Sequence, residues 1–443
     1  MAITQSMNTP ANRRGWSNWS GSVQSRPAEY RFPRDEAAII TLIDEARLRG
    51  VRLRVVGAGH SFTPLVATDG MLVSLDQVAG LESFDQQQLL ATVRAGTRIK
   101  ALGEILHANG AAQENLGDID VQSIAGALAT GTHGTGIAFG SLATQIARLR
   151  LVTAGGEVLE CSEEHNREIF KAAQVSLGAL GIISSVTLRV VPSFRLHYTW
   201  QPGRLADLLP NLVAEREHNR NFEFYWVPHT DAVLLKRMNI TDAPADRRSI
   251  MRELNDLLLE NGAFWVLCEL GRRMPKLTPR LAGVIGSLIG SGQATNDSHK
   301  IYATTRLVRF NEMEYSLPAE QLGDTLEEIQ RTVARERIEV LFPLECRYVR
   351  GDDITLSPAY GRDSCYIAVH QYRGMPYRGY FATIEAIFRR RGGRPHWGKI
   401  HTRTSRELQE LYPEWDRFMA ARRALDPEGR FLNAYLQQLF GVA

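Results

Sequence analysis

The sequence predicts an α+β fold divided into two domains. Helical and strand patterns are mixed along residues 33–110, and most of the strands are short. The chain has 443 residues, which is more than one simple core usually holds. Its composition also shifts after Phe194, where aromatic residues become frequent. Hydrophobic content of 44% and charged content of 23% are those of an ordinary globular protein.

Charge and cysteine content exclude several classes of protein. The net charge is +3, from 52 basic and 49 acidic residues, and gives no argument for binding nucleic acid. The four cysteines form no C-x-x-C pair, so we expect neither a zinc site nor a disulfide framework. Residues 1–24 lack the apolar core of a signal peptide, and the run 281–289 is too short to cross a bilayer. We therefore expect a cytoplasmic protein without a bound metal or a membrane span.

The first special stretch is a glycine-rich turn that follows a strand. A helical pattern over 33–49 ends at Gly50, and the alternating run 51–55 predicts a short strand. Val56, Gly57, Ala58, Gly59, His60 and Ser61 come next. Glycine permits close approach of the backbone, so this turn is suited to presenting N–H groups to a phosphate or carbonyl group. By itself it could equally be a tight turn with a solvent-facing histidine.

Short elements continue the α+β pattern. The runs 71–75 and 89–93 predict strands, and 99–108 predicts a helix that Asn109 and Gly110 end. Further on, 149–154 and 157–161 predict a hairpin, 169–175 a short helix, and 185–191 a strand after the glycine-bounded turn 178–183.

A second glycine-rich stretch, residues 117–140, is dominated by small residues. It contains Gly117, Asp118, Ser123, Gly126 and the run Thr130-Gly131-Thr132-His133-Gly134-Thr135-Gly136. Many backbone donors with little bulk around them suit a diphosphate and an extended cofactor. The alternative, a glycine-rich surface loop, would usually carry more charge or proline.

The second half predicts a further α+β domain. Amphipathic stretches occupy 247–259 and 277–288, and the runs 310–315 and 364–372 predict strands. A helix is predicted at 319–335, and a further helix at 407–425 in the last part of the chain. The run 338–347 predicts a strand whose alternation places Glu345 and Arg347 on one face. Pro343 within this run suggests an edge strand or a bulge.

Four motifs in order resemble the vanillyl-alcohol-oxidase-type (PCMH-type) FAD family, in its aldonolactone oxidase branch. They are the G-A-G-H-S run at 57–61, the T-G-T-H-G-T-G run at 130–136, residues 178–183, and the ending from His396-Trp397-Gly398-Lys399 to L-D-P-E-G-R-F-L-N-A-Y-L. The segments 356–360 and 362–365 also resemble L-gulono-1,4-lactone oxidases, and are similar to alditol oxidases.

The resemblance implies a two-part FAD-binding domain of the vanillyl-alcohol-oxidase type, with an α+β substrate cap inserted between its parts. We assign 1–194 to the FAD-binding domain, 195–385 to the cap, and 386–443 to a segment that returns to the active-site region. It also implies that FAD is bound covalently through His60. A neutral imidazole nitrogen is a competent nucleophile for forming such a bond. The implied cofactor-binding residues are Val56, Gly57, Ala58, Gly59, His60, Ser61, Gly117, Asp118, Ser123, Gly126, Thr130, Gly131, Thr132, His133, Gly181 and Ile182.

Four residues are predicted to be catalytic. Glu345 and Arg347 match the active-site pair of the family; by themselves they could be a surface ion pair. Lys399 matches the active-site lysine, to hold a substrate oxygen or the developing charge of the flavin. His370 could accept a proton, as in alditol oxidases, or be a partly buried structural histidine.

The predicted activity is oxidation of a neutral sugar-derived aldonolactone to the 2-keto lactone that leads to an ascorbate-type product. Gly117 matches a position where oxidases of this type have glycine and dehydrogenases alanine, which favours O2 as acceptor and H2O2 as product. Three alternatives stay open: an alditol (xylitol or sorbitol) oxidase, an aldonolactone dehydrogenase with a cytochrome or dye acceptor, and a flavin-binding protein without turnover.

Overall fold

The computed structural model describes residues 15–246, 261–303 and 308–442, in which helices and strands are mixed and the α+β prediction is confirmed. The amphipathic stretch predicted at 247–259 lies outside the described residues. In the described part, no helix is long and apolar enough to cross a membrane.

The N-terminal part contains a parallel sheet and an antiparallel sheet. The parallel sheet has the strand order Glu29–Arg31, Met71–Ser74, Leu53–Val56. The antiparallel sheet has the order Val158–Ser162, Ile146–Val152, Ile182–Arg189, Leu90–Arg94, Leu81–Asp85. Short ribbons pair Trp16–Ser17 with Gln24–Ser25, and Ala111–Ala112 with Val191–Pro192.

One hydrophobic core joins this part to the C-terminus. Leu436 and Phe440 of the last helix are buried in the same cluster as Ile39 and Leu102 of the N-terminal helices. The helices around this core are Glu36–Leu48, Ile99–Ala108, Ile124–Ala129, Arg167–Gln174, Ser405–Leu411, Trp415–Leu425 and Ala434–Phe440, with a 3-10 turn at Leu142–Gln145.

The middle of the chain forms a large antiparallel sheet. Its strand order is Gly292–Asp297, Arg195–Arg204, Ala232–Thr241, Asn221–Trp226, Leu344–Val349, Ser364–Tyr372, Phe310–Pro318, Arg394–Pro395. One face is apolar: Leu344, Cys346 and Tyr348 belong to a buried cluster with side chains of the helices Leu322–Arg335 and Arg378–Arg390. The other helices are Leu205–Leu208, Leu212–His218, Asn261–Arg273, Thr278–Ser287 and Ser298–Tyr302, with 3-10 turns at Leu209–Asn211, Pro275–Leu277 and Ala319–Gln321.

Two predicted elements are wrong in their extent. The strand predicted at 338–347 is Leu344–Val349, and it is a central strand rather than an edge. It starts directly after Pro343, a residue type that has no N–H for the ladder. The helix predicted at 407–425 is two helices, Ser405–Leu411 and Trp415–Leu425, with Pro413 between them.

The two sheets and their separate cores give a two-domain architecture. The large sheet has its own core of residues from 205 to 388, apart from the core shared by both chain ends. The domain boundaries at 194 and 385 stay predictions.

Candidate active site

The glycine-rich stretches far apart in sequence meet around one narrow cavity. Its walls include residues of 54–61, 122–130 and 176–183. A Cβ atom on Gly57 would lie 2.4 Å from Ser123 Oγ, so only glycine allows these two turns to come so close. Gly59 has φ +69, a backbone conformation that also favours glycine.

Arg54 connects the chain segments around this cavity through hydrogen bonds to their backbone. It is buried, and its guanidinium donates to carbonyl oxygens of Leu65 (2.8 Å), Gly178 (2.8 Å), Leu177 (2.6 Å) and Phe431. Burial lowers the pKa of Arg54 to about 10, so the side chain still carries its charge at neutral pH. One side chain therefore joins the first glycine-rich turn, the 176–183 turn and the C-terminal segment.

A second, wider cavity of about 780 Å³ adjoins the first. That volume is within the range of small-molecule sites. His60 and Ser61 line both cavities, so they lie where the two meet. The His60 ring stacks on Trp19, with 5.4 Å between ring centroids and 20° between planes.

Charged side chains of the large sheet form one wall of the second cavity. Glu345 and Arg347 point from the central strand Leu344–Val349 into it, and both are buried. Arg347 pairs with Glu345, donates from Nε to Glu223 at 2.9 Å, and lies 3.4 Å from Asp118. Three carboxylates therefore fix the orientation of this guanidinium.

A buried ion pair lies behind Arg347. Glu223 also pairs with Lys236, and both side chains are less than 8% exposed. Burial alone would raise the pKa of Glu223, but Lys236 and Arg347 hold it below its ordinary value. Tyr225, which lies in the same strand as Glu223, donates a hydrogen bond to Glu345. The result is a row of alternating charges: Lys236, Glu223, Arg347, Glu345.

Lys399 enters the second cavity from the C-terminal segment. Its Nζ atom lies 2.5 Å from Glu312 Oε2. The preceding Trp397 is fully buried, and its indole N–H donates to the Leu356 carbonyl at 2.6 Å. This anchor holds the turn that carries Lys399.

Two histidines and a carboxylate complete the wall. His133 Nε2 lies 3.4 Å from Glu314 Oε1, and the centroids of the His133 and Tyr366 rings are 3.8 Å apart. His396 lines the same cavity and accepts the Gly398 N–H at its Nδ1 atom, 3.0 Å away. Burial lowers the pKa of His396 to about 3, so it is neutral at physiological pH.

Comparison with known proteins decides the family. The model of the D-arabinono-1,4-lactone oxidase family matches residues 186–439, and an FAD binding domain matches 27–162. The L-gulono-1,4-lactone dehydrogenase of Mycobacterium tuberculosis is 43% identical over 426 residues, covering 96% of this chain and 99% of that protein. The chain belongs to the FAD-dependent aldonolactone oxidoreductase family. This confirms the predicted family.

Other relatives of this aldonolactone oxidoreductase are named oxidases. The L-gulonolactone oxidase of Scyliorhinus torazame is 35% identical over 439 residues, covering 96% of this chain and 98% of that protein. The solved cholesterol oxidase of Brevibacterium sterolicum has 18% sequence identity and a TM-score of 0.79, with 96% of both chains covered. That likeness concerns the fold and confirms the predicted FAD-binding architecture.

The two joined cavities fit FAD. The narrow cavity is lined by glycines, and at Gly57, Gly126 and Gly181 an added Cβ atom would lie less than 3.0 Å from a neighbouring residue. Closely packed backbone with little side-chain bulk suits an extended diphosphate. The wide cavity begins at His60 and carries the charged groups, as a ring system and a small substrate require. In the aldonolactone oxidoreductase, the residues of 56–59 and 123–130 that line the narrow cavity would hold the nucleotide portion of FAD.

Most predicted site residues line these cavities. The narrow cavity is lined by Val56, Gly57, Ala58, Gly59, His60, Ser61, Ser123, Gly126, Thr130, Gly181 and Ile182. The wide cavity is lined by Gly117, Asp118, Thr132, His133, Glu345, Arg347 and Lys399. Two residues lie elsewhere: Gly131 packs near Pro358, and His370 lies behind the wall with Nδ1 2.9 Å from the Pro343 carbonyl oxygen. The roles assigned to all of these residues stay predictions.

Several charged residues in the wall or behind it were not predicted from the sequence. Glu312 and Glu314 stand two apart in the strand Phe310–Pro318, and Glu223 and Lys236 lie in apolar strands. A charge inside an apolar strand was the available signal, because an unpaired buried charge is too costly to persist. Sequence reasoning could not supply the partners.

Two groups of described residues have ligand atoms within 4.8 Å of one another: His133, Glu314 and His396, and Glu312, Glu345 and His370. In the second group, Glu312 already pairs with Lys399 and Glu345 with Arg347. Cations of the protein thus occupy the place of a metal there. The expected absence of a metal stays a prediction.

Proposed function

We propose that this chain is an FAD-dependent oxidase of a neutral sugar-derived aldonolactone, L-gulono-1,4-lactone or a close analogue. The product would be the 2-keto lactone that leads to an ascorbate-type compound, with O2 reduced to H2O2. The observation that carries the proposal is the convergence of Glu345, Arg347 and Lys399 on one cavity that begins at His60. The family membership supports the substrate class.

The charged wall suits oxidation of a secondary alcohol. When bound, the flavin would supply the hydride acceptor for the substrate carbon. Glu345 would accept the hydroxyl proton, because a carboxylate within reach of the substrate oxygen is a competent base. Arg347 and Lys399 would stabilise negative charge that develops in the cavity. A carrier protein without turnover has no need of such a wall.

A substrate panel tests this proposal. Purified enzyme is mixed anaerobically with L-gulono-1,4-lactone, L-galactono-1,4-lactone, xylitol and sorbitol, and bleaching of the flavin absorbance is followed. We expect rapid bleaching with a lactone. Bleaching with xylitol or sorbitol alone would identify an alditol oxidase, and no bleaching with any of the four would contradict the proposal.

The attachment of FAD through His60 is supported by the place of this residue where the cavities meet. Denaturing gel fluorescence and mass spectrometry of the peptide containing residue 60 test it. We expect the added mass of FAD on that peptide and its loss in His60→Ala. A peptide without added mass from yellow wild-type enzyme would show that the cofactor is held without a covalent bond.

The electron acceptor is proposed to be O2. Gly117 lines the wide cavity, and a Cβ atom there would lie 3.0 Å from the His133 carbonyl oxygen, so the position has no room to spare. The names of the relatives differ here, because one is called a dehydrogenase and others are called oxidases. Measurement of H2O2 during turnover decides between them: turnover only with cytochrome c or a dye would favour the dehydrogenase.

A further inference from the structure

Glu312 is the buried carboxylate that faces Lys399. It lies in the strand Phe310–Pro318, is 5% exposed, and lines the wide cavity. Its Oε2 atom is 2.5 Å from Lys399 Nζ, so the carboxylate and the ammonium group are in direct contact as a charge-assisted pair. The next residue on the same strand face, Glu314, faces His133 instead.

The backbone of the Lys399 segment is docked on the same strand. The His396 N–H donates to the Glu314 carbonyl and the Ile400 N–H donates to the Glu312 carbonyl, each at 3.0 Å. These bonds fix the backbone on both sides of Lys399, and they leave its long side chain as the part that can still move. The contact between Nζ and Glu312 removes that freedom.

His370 faces Glu312 from the other side. The Glu312 Oε1 atom is 3.5 Å from His370 Nε2. His370 is fixed in turn, because its Nδ1 atom donates to the Pro343 carbonyl at 2.9 Å. Burial alone would raise the pKa of Glu312, but Lys399 first and His370 second lower it to about 2. Glu312 is therefore an anion at neutral pH.

We propose that Glu312 is a positioning residue for Lys399. It fixes the ammonium group in the wall of the cavity, and His370 lies behind it. His370 then acts as a supporting residue rather than as a proton acceptor. The geometry stands without any substrate, and only the kinetic part of the test below rests on the proposed function.

Titration of Lys399 tests the electrostatic part. Lysines are reductively methylated with 13C-formaldehyde, and the Lys399 signal is assigned by its absence in Lys399→Arg. Removing an anion in contact with an ammonium shifts its titration by about one pH unit or more. We expect the midpoint to fall by that amount in Glu312→Gln and by clearly less in Glu314→Gln, the matched control. An unchanged midpoint in Glu312→Gln, or equal shifts in both variants, would overturn the proposal.

A charge-retaining variant guards against misfolding. Glu312→Asp keeps the anion but shortens the side chain, so the Lys399 midpoint should lie between those of the wild type and the Gln variant. If Glu312→Gln does not fold, the Asp variant decides: a midpoint equal to that of the wild type would contradict a role that depends on the contact distance.

A double-mutant cycle tests the positioning part. The rate of flavin reduction by the active lactone is measured for Glu312→Gln, Lys399→Met and the double variant. We expect Glu312→Gln to slow reduction about 10- to 100-fold in the wild-type background, as loss of a supporting partner does. In the Lys399→Met background it should have little further effect. Equal losses in both backgrounds would contradict the proposal. If no lactone reduces the wild-type flavin, the proposed function fails, while the titration still decides the role of Glu312.

Discussion

Glu345 is the residue on which the proposed chemistry depends most directly. Its carboxylate is buried in the wall of the wide cavity, beside Arg347 and Tyr225. We expect Glu345→Gln to lower kcat/KM by about 10²- to 10⁴-fold, the usual contribution of a general base. Glu339→Gln is the control, because Glu339 lies exposed shortly before the same strand. Activity of Glu345→Gln close to that of wild type would exclude the role of base.

Gly117 tests the steric argument for the acceptor. In Gly117→Ala the new methyl group would stand 3.0 Å from the His133 carbonyl and narrow the wide cavity. We expect reoxidation of the reduced enzyme by O2 to slow by about tenfold, on the order of 1.4 kcal/mol in barrier height, while reduction by the lactone changes little. Stopped-flow measurement of both half-reactions separates the two effects. Equal slowing of both would indicate a general disturbance instead.

At the scale of elements, the large sheet separates its two faces by strand alternation. Leu344, Cys346 and Tyr348 face the helices, while Glu345 and Arg347 face the cavity. Register then aligns the charges across strands. In the ladder Glu223 is paired directly with Lys236 on one side and with Arg347 on the other. The apolar face stabilises the sheet, and the charged face carries the site.

Replacing Glu223 alone in this row of charges should destabilise the protein more than replacing Glu223 and Lys236 together. Glu223→Gln leaves Lys236 buried without its anion, and loss of one partner of a buried pair costs about 3–5 kcal/mol. The double variant Glu223→Gln, Lys236→Met removes the orphaned charge, so it should recover part of that loss. Urea unfolding of the apoprotein measures these two variants and the single variant Lys236→Met. A double variant as unstable as the sum of the single variants would show that the pair is not coupled.

Because Glu312 in the strand Phe310–Pro318 has a lowered pKa, the stability of the protein should depend on pH. The pKa of Glu312 is about 2 in the folded protein, against an ordinary 4.5, so the folded state prefers its charged form. A lowered pKa contributes stability that is present above pH 4.5 and lost as the pH falls towards 2. The difference in unfolding free energy between wild type and Glu312→Gln should be constant at neutral pH and shrink below pH 4.5. A difference that grows with acidity would contradict the ion pair.

At the scale of the whole molecule, distant chain segments are joined beneath the cofactor cavity. Asn433 donates to carbonyl oxygens of Pro64 (2.8 Å) and Ala67 (2.7 Å), and its own Oδ1 atom caps the last helix at Leu436. Arg54 reaches the Phe431 carbonyl from the other side. The C-terminal segment is therefore part of the support for the glycine-rich turn.

Arg54→Lys should weaken this support. Lysine keeps the charge but cannot reproduce the planar set of donors, so several buried carbonyl groups lose a partner. We expect a loss of about 3–5 kcal/mol of stability together with weaker retention of FAD. Arg52→Lys is the matched control, because Arg52 is exposed immediately before the same strand. Thermal unfolding and flavin content after gel filtration provide the two readouts, and identical results for both variants would contradict the assignment.

Local patterns determined a large part of this protein. The helix Ile99–Ala108 and the strand Ser364–Tyr372 have the predicted bounds, because glycine, asparagine and hydrophobic periodicity act within a few residues. The glycine-rich turns and the terminal His396–Lys399 motif led to the family, and the i, i+2 spacing of Glu345 and Arg347 placed them on one strand face. All of these signals are short in range.

Only the tertiary structure decided which charges are buried and with which partners. Alternation in the run 51–55 gives Arg52 and Arg54 the same pattern, yet only Arg54 is enclosed. Glu223 and Arg347 are 124 positions apart in the chain and form an ion pair. Lys399 contacts Glu312 because the segment that carries Lys399 pairs with the strand Phe310–Pro318. A buried charge is stable only with a partner, and cross-strand register, which is set by the packing of the whole sheet, decides whether that partner is present.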